Sequence, residues 1–409
     1  MRKMKDSGIE WIGQIPQEWN TIRAKYVTTI TNGSDPKTEG NTPVYGSGSG
    51  CFRTCGEHKK GPTVLLGRKG TVDIPQYITG NYWNVDTAFD VKTVEEQLDL
   101  EFYYFASTCF DYKYYTSTTT LPSMTQTNYG NMYIPCPPVD VQRRVVVGLK
   151  EKLSGIDALI AVKEKTNALL KERRQSIIYE AVTKGLNPDA PMKDSGIEWI
   201  GEIPGNWTVG KTIYGLEMPI TDGPHETPQL YSEGVPFVSA EAVSCGNGKI
   251  DFDHIRGYIS EEYYDECCKK YIPQINDIYM IKSGATTGKV AIVDTDSKFT
   301  IWSPLAVFRC AGNKCHYKYL YYFLQSDAYQ KQVESKWSFG TQQNIGMRTL
   351  ERLIVCFPTV DEQKTIADYL DVCCSETDQL ITTNEATIQK LKEYRQSIIY
   401  EAVTGKIEI

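Results

Sequence analysis

Two long stretches of the chain carry side chains that recur at alternating intervals of four and three residues. In the first stretch the positions are Leu149, Leu153, Ile156, Ile160, Lys163, Asn167, Leu170, Arg174, Ile177 and Ala181. In the second they are Leu370, Cys374, Thr377, Ile381, Asn384, Ile388, Leu391, Arg395, Ile398 and Ala402. Because this spacing places one row of side chains along one helix face, the pattern predicts two helices of about 40 residues, roughly 60 Å long, that pair through a coiled-coil seam. The polar seam residues Asn167 and Asn384 are expected to fix its register.

Both predicted helices are bounded by residues that start and stop helices. Residues 137–140 (PPVD) and 358–361 (PTVD) precede the two seams, and proline followed by an acidic residue favours a helix start. Gly185 and Gly405 follow the last seam positions. Glycine at such a place predicts a helix C-terminus.

The regions outside the seams show mixed patterns. Short β-like runs occur at residues 63–66, 278–281 and 290–293, next to glycine-containing turns, and helical spacing occurs near 101–106 and 317–325. These patterns predict one globular α/β domain before each long helix.

Two blocks of sequence occur twice. The opening block, residues 4–13 (MKDSGIEWIG), recurs 188 positions later as 192–201, and the helix-end block, residues 174–183 (RQSIIYEAVT), recurs 221 positions later as 395–404. The second half is therefore 33 residues longer between its blocks, while the sequence between the blocks differs almost completely. A repeated frame around two unlike inserts predicts a pseudo-twofold scaffold with antiparallel helices.

The predicted fold class is α+β, with two globular α/β domains separated by the two long antiparallel helices. The predicted boundaries are 1–138 for the first domain, 139–184 for the first helix, 185–191 for a turn-rich linker, 192–359 for the second domain and 360–409 for the second helix.

The composition limits the classes of function. The chain has 409 residues, 44 Lys and Arg against 51 Asp and Glu, and a net charge of −7, which argues against a basic nucleic-acid-binding surface over the whole protein. A local basic patch stays compatible with this charge. The twelve cysteines, without a signal peptide or an apolar run of about 20 residues, favour free thiols in a cytoplasmic protein with no membrane segment.

Two basic turns lie at comparable places in the halves, each after a β-like run. Their candidate DNA-contacting residues are Arg68, Lys69, Thr71, Lys282, Thr286, Thr287 and Lys289. Glycine in such a turn lets the backbone approach a phosphate, which lysine or arginine neutralises. Two polar segments that align at the 221-residue interval supply the other candidates, Thr120, Ser123, Thr341, Gln342, Gln343 and Asn344. Amides pair with adenine edges and hydroxyls bond several bases, although a plain solvated loop has the same composition.

Other chemistries lack required residues. Residues 283–289 (SGATTGK) are one residue too short for a phosphate loop, and Val290 stands where a hydroxyl would bind magnesium. Residues 135–139 (PCPPV) lack the polar and aromatic side chains of an amino-methyltransferase loop. Two clusters lack a clean fourth zinc ligand: Cys51, Cys55 and His58, and Cys310, Cys315 and His316. We therefore predict no catalytic residue and no metal ligand in this chain.

Several motifs together resemble a known family. Residues 7–19 (SGIEWIGQIPQEW) and their copy at 195–207 look like the opening of each half of a type I restriction-modification specificity subunit. Residues 358–363 (PTVDEQ) resemble the family's helix start, and 139–142 (VDVQ) are a weaker copy. Residues 284–293 and 340–344 also look typical of its target-recognition domains. The resemblance covers nearly the whole chain.

The resemblance implies a DNA-reading subunit without catalysis. Each target-recognition domain would read one half of a gapped, asymmetric site in double-stranded DNA, and the helices would set the gap and dock two modification subunits. Those subunits would bring S-adenosylmethionine for adenine methylation, and restriction subunits would bring ATP-driven cleavage, so no cofactor is expected in this chain. The alternatives are a self-contained DNA methyltransferase and a coiled-coil scaffold with no DNA role.

Overall fold

The computed structural model describes residues 2–116, 121–339 and 343–409. The chain forms two compact units. Unit 1 contains Met1–Lys165 and Asn384–Ile409, and unit 2 contains Thr166–Thr383. Each unit therefore combines one globular part with portions of both long helices.

Unit 1 holds twelve strands among its described residues. They are β1 (Met4–Asp6), β2 (Gln14–Pro16), β3 (Asn20–Arg23), β4 (Thr28–Asn32), β5 (Thr42–Tyr45), β6 (Cys51–Cys55), β7 (Lys59–Lys60), β8 (Thr63–Gly67), β9 (Gln76–Ile78), β10 (Asn81–Asn84), β11 (Ala88–Thr93) and β12 (Tyr133–Cys136). Its helices are α1 (Leu100–Ser107), α2 (Tyr112–Tyr115), α3 (Gln126–Asn131) and the start of α4 (Val139–Lys184), with a short 3-10 helix at Ala24–Tyr26.

Unit 2 has a similar order with more helix. Its strands are β13 (Met192–Asp194), β14 (Glu202–Pro204), β15 (Thr208–Lys211), β16 (Thr221–Asp222), β17 (Val235–Val238), β18 (Tyr258–Ile259), β19 (Ile278–Ile281), β20 (Val290–Ile292), β21 (Thr300–Ile301), β22 (Leu305–Phe308), β23 (Ser338–Phe339), β24 (Gln343–Asn344) and β25 (Ile354–Phe357). Its helices are α5 (Ala240–Cys245), α6 (Glu261–Cys268), α7 (Tyr317–Gln325), α8 (Asp327–Ser335), α9 (Met347–Arg352) and the start of α10 (Val360–Val403), with 3-10 helices at Thr212–Gly215 and Phe252–His254.

The central sheet of each unit has the same strand order. It is β4-β11-β8-β9 in unit 1 and β16-β22-β19-β20 in unit 2, antiparallel throughout. The inner strands β8 and β19 are buried at every position, as expected of continuous apolar runs covered on both faces. The three β-like runs predicted from the sequence are therefore confirmed as β8, β19 and β20.

The second sheet is where the two units differ most. In unit 1 it is β6-β5-β10-β7, and in unit 2 it is β18-β17-β21. The parallel pairs β5–β10 and β17–β21 are common to both. Between β17 and β19 unit 2 inserts α5, Phe252–His254 and α6, where unit 1 has only β6 and β7 between β5 and β8. Much of the extra length in the second half thus lies beside the second sheet.

The two long helices pair in antiparallel fashion within each unit. In unit 1, the Arg395 guanidinium lies 2.7 Å from a carboxylate oxygen of Asp157. In unit 2, Arg174 lies 3.1 Å from Asp378. Both residues of one pair are 221 positions from their counterparts in the other, so the same contact is made twice, as a pseudo-twofold repeat requires.

The apolar residues of the predicted seam are buried to different degrees. Its apolar members Leu149, Leu153, Ile160, Leu370, Ile381, Ile388 and Ile398 are buried, and Ile156, Leu170, Ile177 and Leu391 are half-buried. The helices span 46 and 44 residues. Lys163 donates to the side-chain oxygen of the buried Asn384 at 2.8 Å in unit 1, which gives this seam one polar contact of the kind that specifies register.

The repeated blocks contact each other, which the sequence did not show. In unit 1, the Tyr400 hydroxyl of the second helix-end block lies 3.3 Å from the carbonyl oxygen of Ile12 in the first opening block. In unit 2, the Tyr179 hydroxyl of the first helix-end block lies 3.1 Å from the carbonyl oxygen of Ile200 in the second opening block. Each opening block therefore packs on the helix-end block of the other half.

Apolar packing and a glycine complete this contact. Trp19 joins a core with Ile399 and Val403 in unit 1, as Trp207 does with Ile178 and Val182 in unit 2. Gly405 and Gly185 end the helices at φ +71, which confirms them as helix stops of the left-handed type. A Cβ at Gly405 would lie 2.6 Å from the Pro16 ring, so glycine also allows close approach.

We predict that Gly405→Ala destabilises unit 1 more than Gly8→Ala does. Both glycines have φ +71, but nothing lies within 4 Å of a Cβ at Gly8. Gly8→Ala should cost only the backbone strain, about 1–2 kcal/mol, and Gly405→Ala should cost more because Pro16 must move. Urea unfolding of the full chain measures both. Equal losses would show that Pro16 does not constrain this helix end.

Candidate nucleic-acid interface

The basic turn of unit 1 follows the buried strand β8 and pairs with a second segment. Arg68 donates its backbone N–H to the carbonyl of Thr87 at 2.7 Å, and Gly70, at φ +81, donates to that of Pro122 at 2.9 Å. Met124 in turn donates to the carbonyl of Arg68 at 2.9 Å. The turn is therefore held against residues 122–124, directly before α3.

Unit 2 builds the same arrangement after β19. Gly284, at φ +104, donates its N–H to the carbonyl of Gln343 at 3.0 Å, and Ile345 donates to that of Lys282 at 2.9 Å. Ser283 bridges to Asn344, as Lys69 bridges to Ser123 in unit 1. In each unit the structure thus joins the two segments that the sequence analysis selected separately.

The predicted contact residues differ in exposure. Lys69, Lys289, Gln343 and Asn344 are exposed. Arg68, Thr71, Ser123, Thr286 and Thr287 are half-buried. Thr120, Thr341 and Gln342 lie outside the described residues. The exposed lysines and amides are the side chains that a phosphate or a base edge would meet first.

Lys282 takes a different place from the other lysines, because it is only 9% exposed. Its ammonium lies 3.2 Å from a carboxylate oxygen of the fully buried Asp222, and Lys270 lies 2.5 Å from the other oxygen. Burial alone would raise the pKa of Asp222, but the hydrogen bond from Lys270 and the charge of Lys282 outweigh it and lower that pKa. Lys282 therefore stabilises the base of the turn and presents little charge to solvent.

Thr287 braces the turn of unit 2 from within. Its hydroxyl donates to the carbonyl oxygen of Gly284 at 2.7 Å. Beside it, the exposed Lys289 has its ammonium 3.4 Å from the carbonyl oxygen of Ser244 at the end of α5. The turn thus has an internally bonded backbone and a basic side chain at its outer surface.

A third segment of the site, which was not predicted from the sequence, lies at the end of the outer strand. Asn32 on β4 pairs with Phe89, and Asp222 on β16 pairs with Ala306 at the matching register. The next residue is glycine in both, and a Cβ there would lie 2.0 Å from the carbonyl oxygen of Val85 at Gly33 and 1.9 Å from that of Ile301 at Gly223. The shared Thr-x-Gly pattern at residues 31–33 and 221–223 was the signal available for finding it.

A glycine- and serine-rich segment, residues 46–50 (GSGSG), lies beside the turn of unit 1 and was also not predicted from the sequence. Ser47 donates its N–H to the Thr87 hydroxyl at 3.4 Å, and Thr87 also accepts from Arg68 through its carbonyl. Next to this segment Phe52 is 58% exposed, with the Arg53 guanidinium 5.4 Å from its ring centre. Exposed aromatic and basic side chains next to a basic turn suit contact with a base and a phosphate.

The described residues contain no cluster of side chains that could bind a metal ion. Among them, no group of three or more His, Cys, Asp or Glu side chains converges, and the twelve cysteines carry free thiols. Burial raises the pKa of the Cys55 thiol and that of Cys356, the latter to about 12. These two thiols are therefore protonated near neutral pH. In the described part of the chain, no helix has the length and apolarity needed to cross a membrane.

Comparison with known proteins shows which proteins this chain resembles. The family model of the type I restriction modification DNA specificity domain matches residues 229–391. The chain is 24% identical over 299 residues to the type I restriction enzyme MjaVIII specificity subunit of Methanocaldococcus jannaschii, covering 72% of this chain and 66% of that protein. That match spans slightly less than two thirds of the archaeal protein.

Two further similarities extend over nearly the full chain. A putative type I restriction enzyme specificity subunit of Haemophilus influenzae is 22% identical over 419 residues, covering 97% of this chain and 96% of the relative. A solved chain described under complex assembly and conformational transition of the type I R-M system has the same fold, with a TM-score of 0.67 at 17% identity, covering 96% and 99% of the two chains. Residues 229–391 therefore match the type I restriction modification DNA specificity domain, and the chain is similar over nearly its whole length to a putative type I restriction enzyme specificity subunit.

We predict that Asp222→Asn lowers the free energy of unfolding at pH 7 by about 2 kcal/mol, because Lys282 and Lys270 lose a buried counter-charge. Asp294→Asn is the matched control, since Asp294 pairs with the exposed Lys249 and should cost less than about 1 kcal/mol. Urea unfolding measures both, and similar losses would contradict a buried ion-pair role.

The effect of Asp222 also has a defined pH dependence. Its folded-state pKa is lowered, so its stabilisation is complete above the unfolded value of about 3.9 and is lost as pH falls through the folded value. The difference between the wild-type chain and Asp222→Asn should therefore narrow below about pH 3.9.

Proposed function

We propose that this chain is the DNA sequence-recognition subunit of a type I restriction-modification complex, with each globular domain reading one half of a gapped, asymmetric site. The observation that carries the proposal is the glycine turn after β8 and β19, which in both units forms the same backbone hydrogen bonds with a polar segment. The backbone arrangement is shared, and the side chains that it presents are different. A shared frame with unlike exposed side chains suits two readers of two different half-sites.

The proposed contacts divide into phosphate and base groups. Lys69 and Lys289 are exposed beside glycine turns and contact phosphates. Gln343 and Asn344 carry amides that pair with adenine edges, and Ser123 offers a hydroxyl to several bases. Arg68, Thr71, Thr286, Thr287 and the undescribed Thr120, Thr341 and Gln342 complete the predicted set. Lys282 acts through its position under the turn.

The long helices set the gap between the half-sites in this proposal. The helices are continuous over 46 and 44 residues, and equivalent ion pairs join them in the two units.

The same helices dock two modification subunits. Leu159 on α4 and Leu380 on α10 stand 221 positions apart, so they occupy equivalent places, and both are exposed, at 44% and 56%. Each directly precedes a seam residue, Ile160 or Ile381, so it lies at the edge of the seam. Equivalent apolar patches suit two identical partners.

Catalysis resides in the partners. The modification subunits bring S-adenosylmethionine and methylate adenine, and restriction subunits bring ATP-driven cleavage, so this chain supplies recognition and assembly only. Because its target is cellular DNA, we place the protein in the cytoplasm. The acidic net charge of −7 agrees with partner subunits that carry much of the phosphate contact.

We predict that Lys289→Gln weakens DNA binding by the complex with modification subunits and reduces its salt dependence by about one counterion. Lys269→Gln, at the end of α6, removes an exposed charge from the same domain and is the control. A gel-shift titration over a salt series measures both. Unchanged affinity and salt slope for Lys289→Gln would remove this lysine from the interface.

The gel-shift titration, together with a methyl-transfer assay, distinguishes a specificity subunit from the two alternative classes of protein. The complex with modification subunits should bind a specific DNA much more tightly than the isolated chain. Methyl transfer by the isolated chain with S-adenosylmethionine would favour a self-contained enzyme, and no DNA binding in any combination would favour a scaffold. A steep salt dependence for the isolated chain would contradict the assignment of phosphate contacts to the partners.

We predict that Leu159→Asp or Leu380→Asp removes one modification subunit and that the double variant removes both, because a carboxylate disfavours an apolar contact. Val147→Asp is the control, since Val147 is 57% exposed but its repeat counterpart is Asp368. Native mass spectrometry of the mixed subunits gives the stoichiometry. Two bound modification subunits in every variant would place the docking surface elsewhere.

A further inference from the structure

Each globular domain is attached to the start of its long helix by the same glutamine. The Gln142 side-chain oxygen accepts the backbone N–H of Asp99 at 2.8 Å, and its amide donates to the carbonyls of Gln97 and Pro137 at 2.9 and 2.7 Å. Gln363, 221 positions later, accepts the N–H of His316 at 2.8 Å. Because Asp99 and His316 are the N-caps of α1 and α7, the two helices correspond residue by residue.

One ion pair about two helical turns beyond this glutamine has its acidic and basic residues exchanged between the units. In unit 1, the second residue of α1 is Glu101, and its carboxylate lies 2.6 Å from the Lys150 ammonium on α4. In unit 2, the second residue of α7 is Lys318, and its ammonium lies 2.5 Å from the Asp371 carboxylate on α10. Lys150 and Asp371 are equivalent, being 221 positions apart. The acid is thus on the domain in one unit and on the long helix in the other.

A second contact reinforces the difference. The Tyr322 hydroxyl donates to the other Asp371 oxygen at 2.8 Å, so in unit 2 this carboxylate receives two donors from its own domain. The corresponding residue of α1 is Phe105, which has no hydroxyl. The hydrogen bond to Asp371 also raises the pKa of Lys318, so this ammonium stays charged at neutral pH.

Of the neighbouring charges, one adds to the difference and another does not discriminate. Asp368 on α10 also attracts Lys318, and its counterpart on α4 is the neutral Val147. Arg143 on α4 lies 3.8 Å from Asp99, and its counterpart on α10 is Lys364, which is also basic. Either domain would therefore meet a positive charge at that place. The reversed pair itself lies at positions 101 and 150 in unit 1 and at 318 and 371 in unit 2, and Asp368 strengthens the preference of Lys318 for α10.

We propose that this reversed pair is a charge key that fits each recognition domain to its own long helix. The first domain on α10 would bring Glu101 against Asp371 with no hydroxyl donor. The second domain on α4 would bring Lys318 against Lys150. Like charges at this separation are repulsive where opposite charges are attractive, so each domain selects its own position.

The key also constrains how the chain can acquire new specificity. If the repeated blocks are repeated in the gene, recombination between them could move a domain from one position to the other. After such a transfer Lys150 and Asp371 stay on their long helices, so the moved domain would place Glu101 against Asp371 or Lys318 against Lys150. Replacement by a domain from the same position keeps the pair and is favoured. This inference concerns assembly of the chain and holds whatever sequence each domain reads.

The first test uses the full chain. Lys150→Asp places a carboxylate opposite Glu101, and the double variant Glu101→Lys with Lys150→Asp restores an opposite pair in the orientation of unit 2. The hydrogen-exchange rate of the α1 amides should rise about two- to fivefold in the single variant, because a partly exposed ion pair contributes only a modest free energy of stabilisation. In the double variant the rate should return to the wild-type value.

The control for this test is Lys152→Asp, which makes the same change in net charge at an exposed position two residues away on α4. It should leave α1 exchange unchanged. If the double variant exchanges as fast as the single variant, or if Lys152→Asp has the same effect, then the pair does not determine the fit and the proposal fails.

The second test transfers a domain. A chain that carries the first domain at both positions is compared with the same chain bearing Asp371→Lys, and we expect the second version to melt about 2–4 °C higher. Equal melting, or a lower value with lysine, would overturn the charge key. If neither chain folds, the exchange experiment on the intact protein decides the question.

Discussion

Each long helix ends against the opening block that begins the other half's domain, and the rest of the structure depends on this contact. In unit 1 it joins residues near both ends of the chain, with Trp19 and Ile399 in one core. In unit 2 it joins the end of α4 to the segment that follows the linker. Because one interface is made twice, both of its sides are conserved letter for letter within the chain. Any change in one block must suit the other, which explains why these blocks repeat while the inserts diverge.

On this frame the two domains use one backbone plan with different side chains. A buried inner strand leads into a glycine turn, and this turn pairs with a polar segment. The outer strand ends at a glycine, where a residue with a Cβ would clash with a backbone carbonyl oxygen. Hydrogen bonds between backbone groups set this geometry, so they place no demand on side-chain identity. The exposed positions are therefore available to encode a target, and the unit 2 insertion enlarges the domain beside its second sheet without altering the turn.

The junction between domain and helix combines a shared contact with a specific one. Gln142 and Gln363 form hydrogen bonds with three equivalent backbone groups in the two units. Because these glutamines bond only to backbone groups, they can attach any domain whose backbone follows the same path. The reversed ion pairs, which lie about two turns further along each long helix, depend on side chains and do discriminate. A general attachment and a charge-dependent one thus lie side by side.

Local patterns in the sequence determined the helices, their stops and the inner strands. Heptad spacing, glycine after the last seam residue and continuous apolar runs are readable within a few turns of chain, so Leu149, Gly185 and β8 were predicted. Tertiary structure alone decided which opening block meets which helix-end block, that residues 68–71 lie against 122–124, and that Lys282 is buried beside Asp222. These features join positions far apart in the chain, and no periodicity encodes such pairing because it arises only when distant segments close one core.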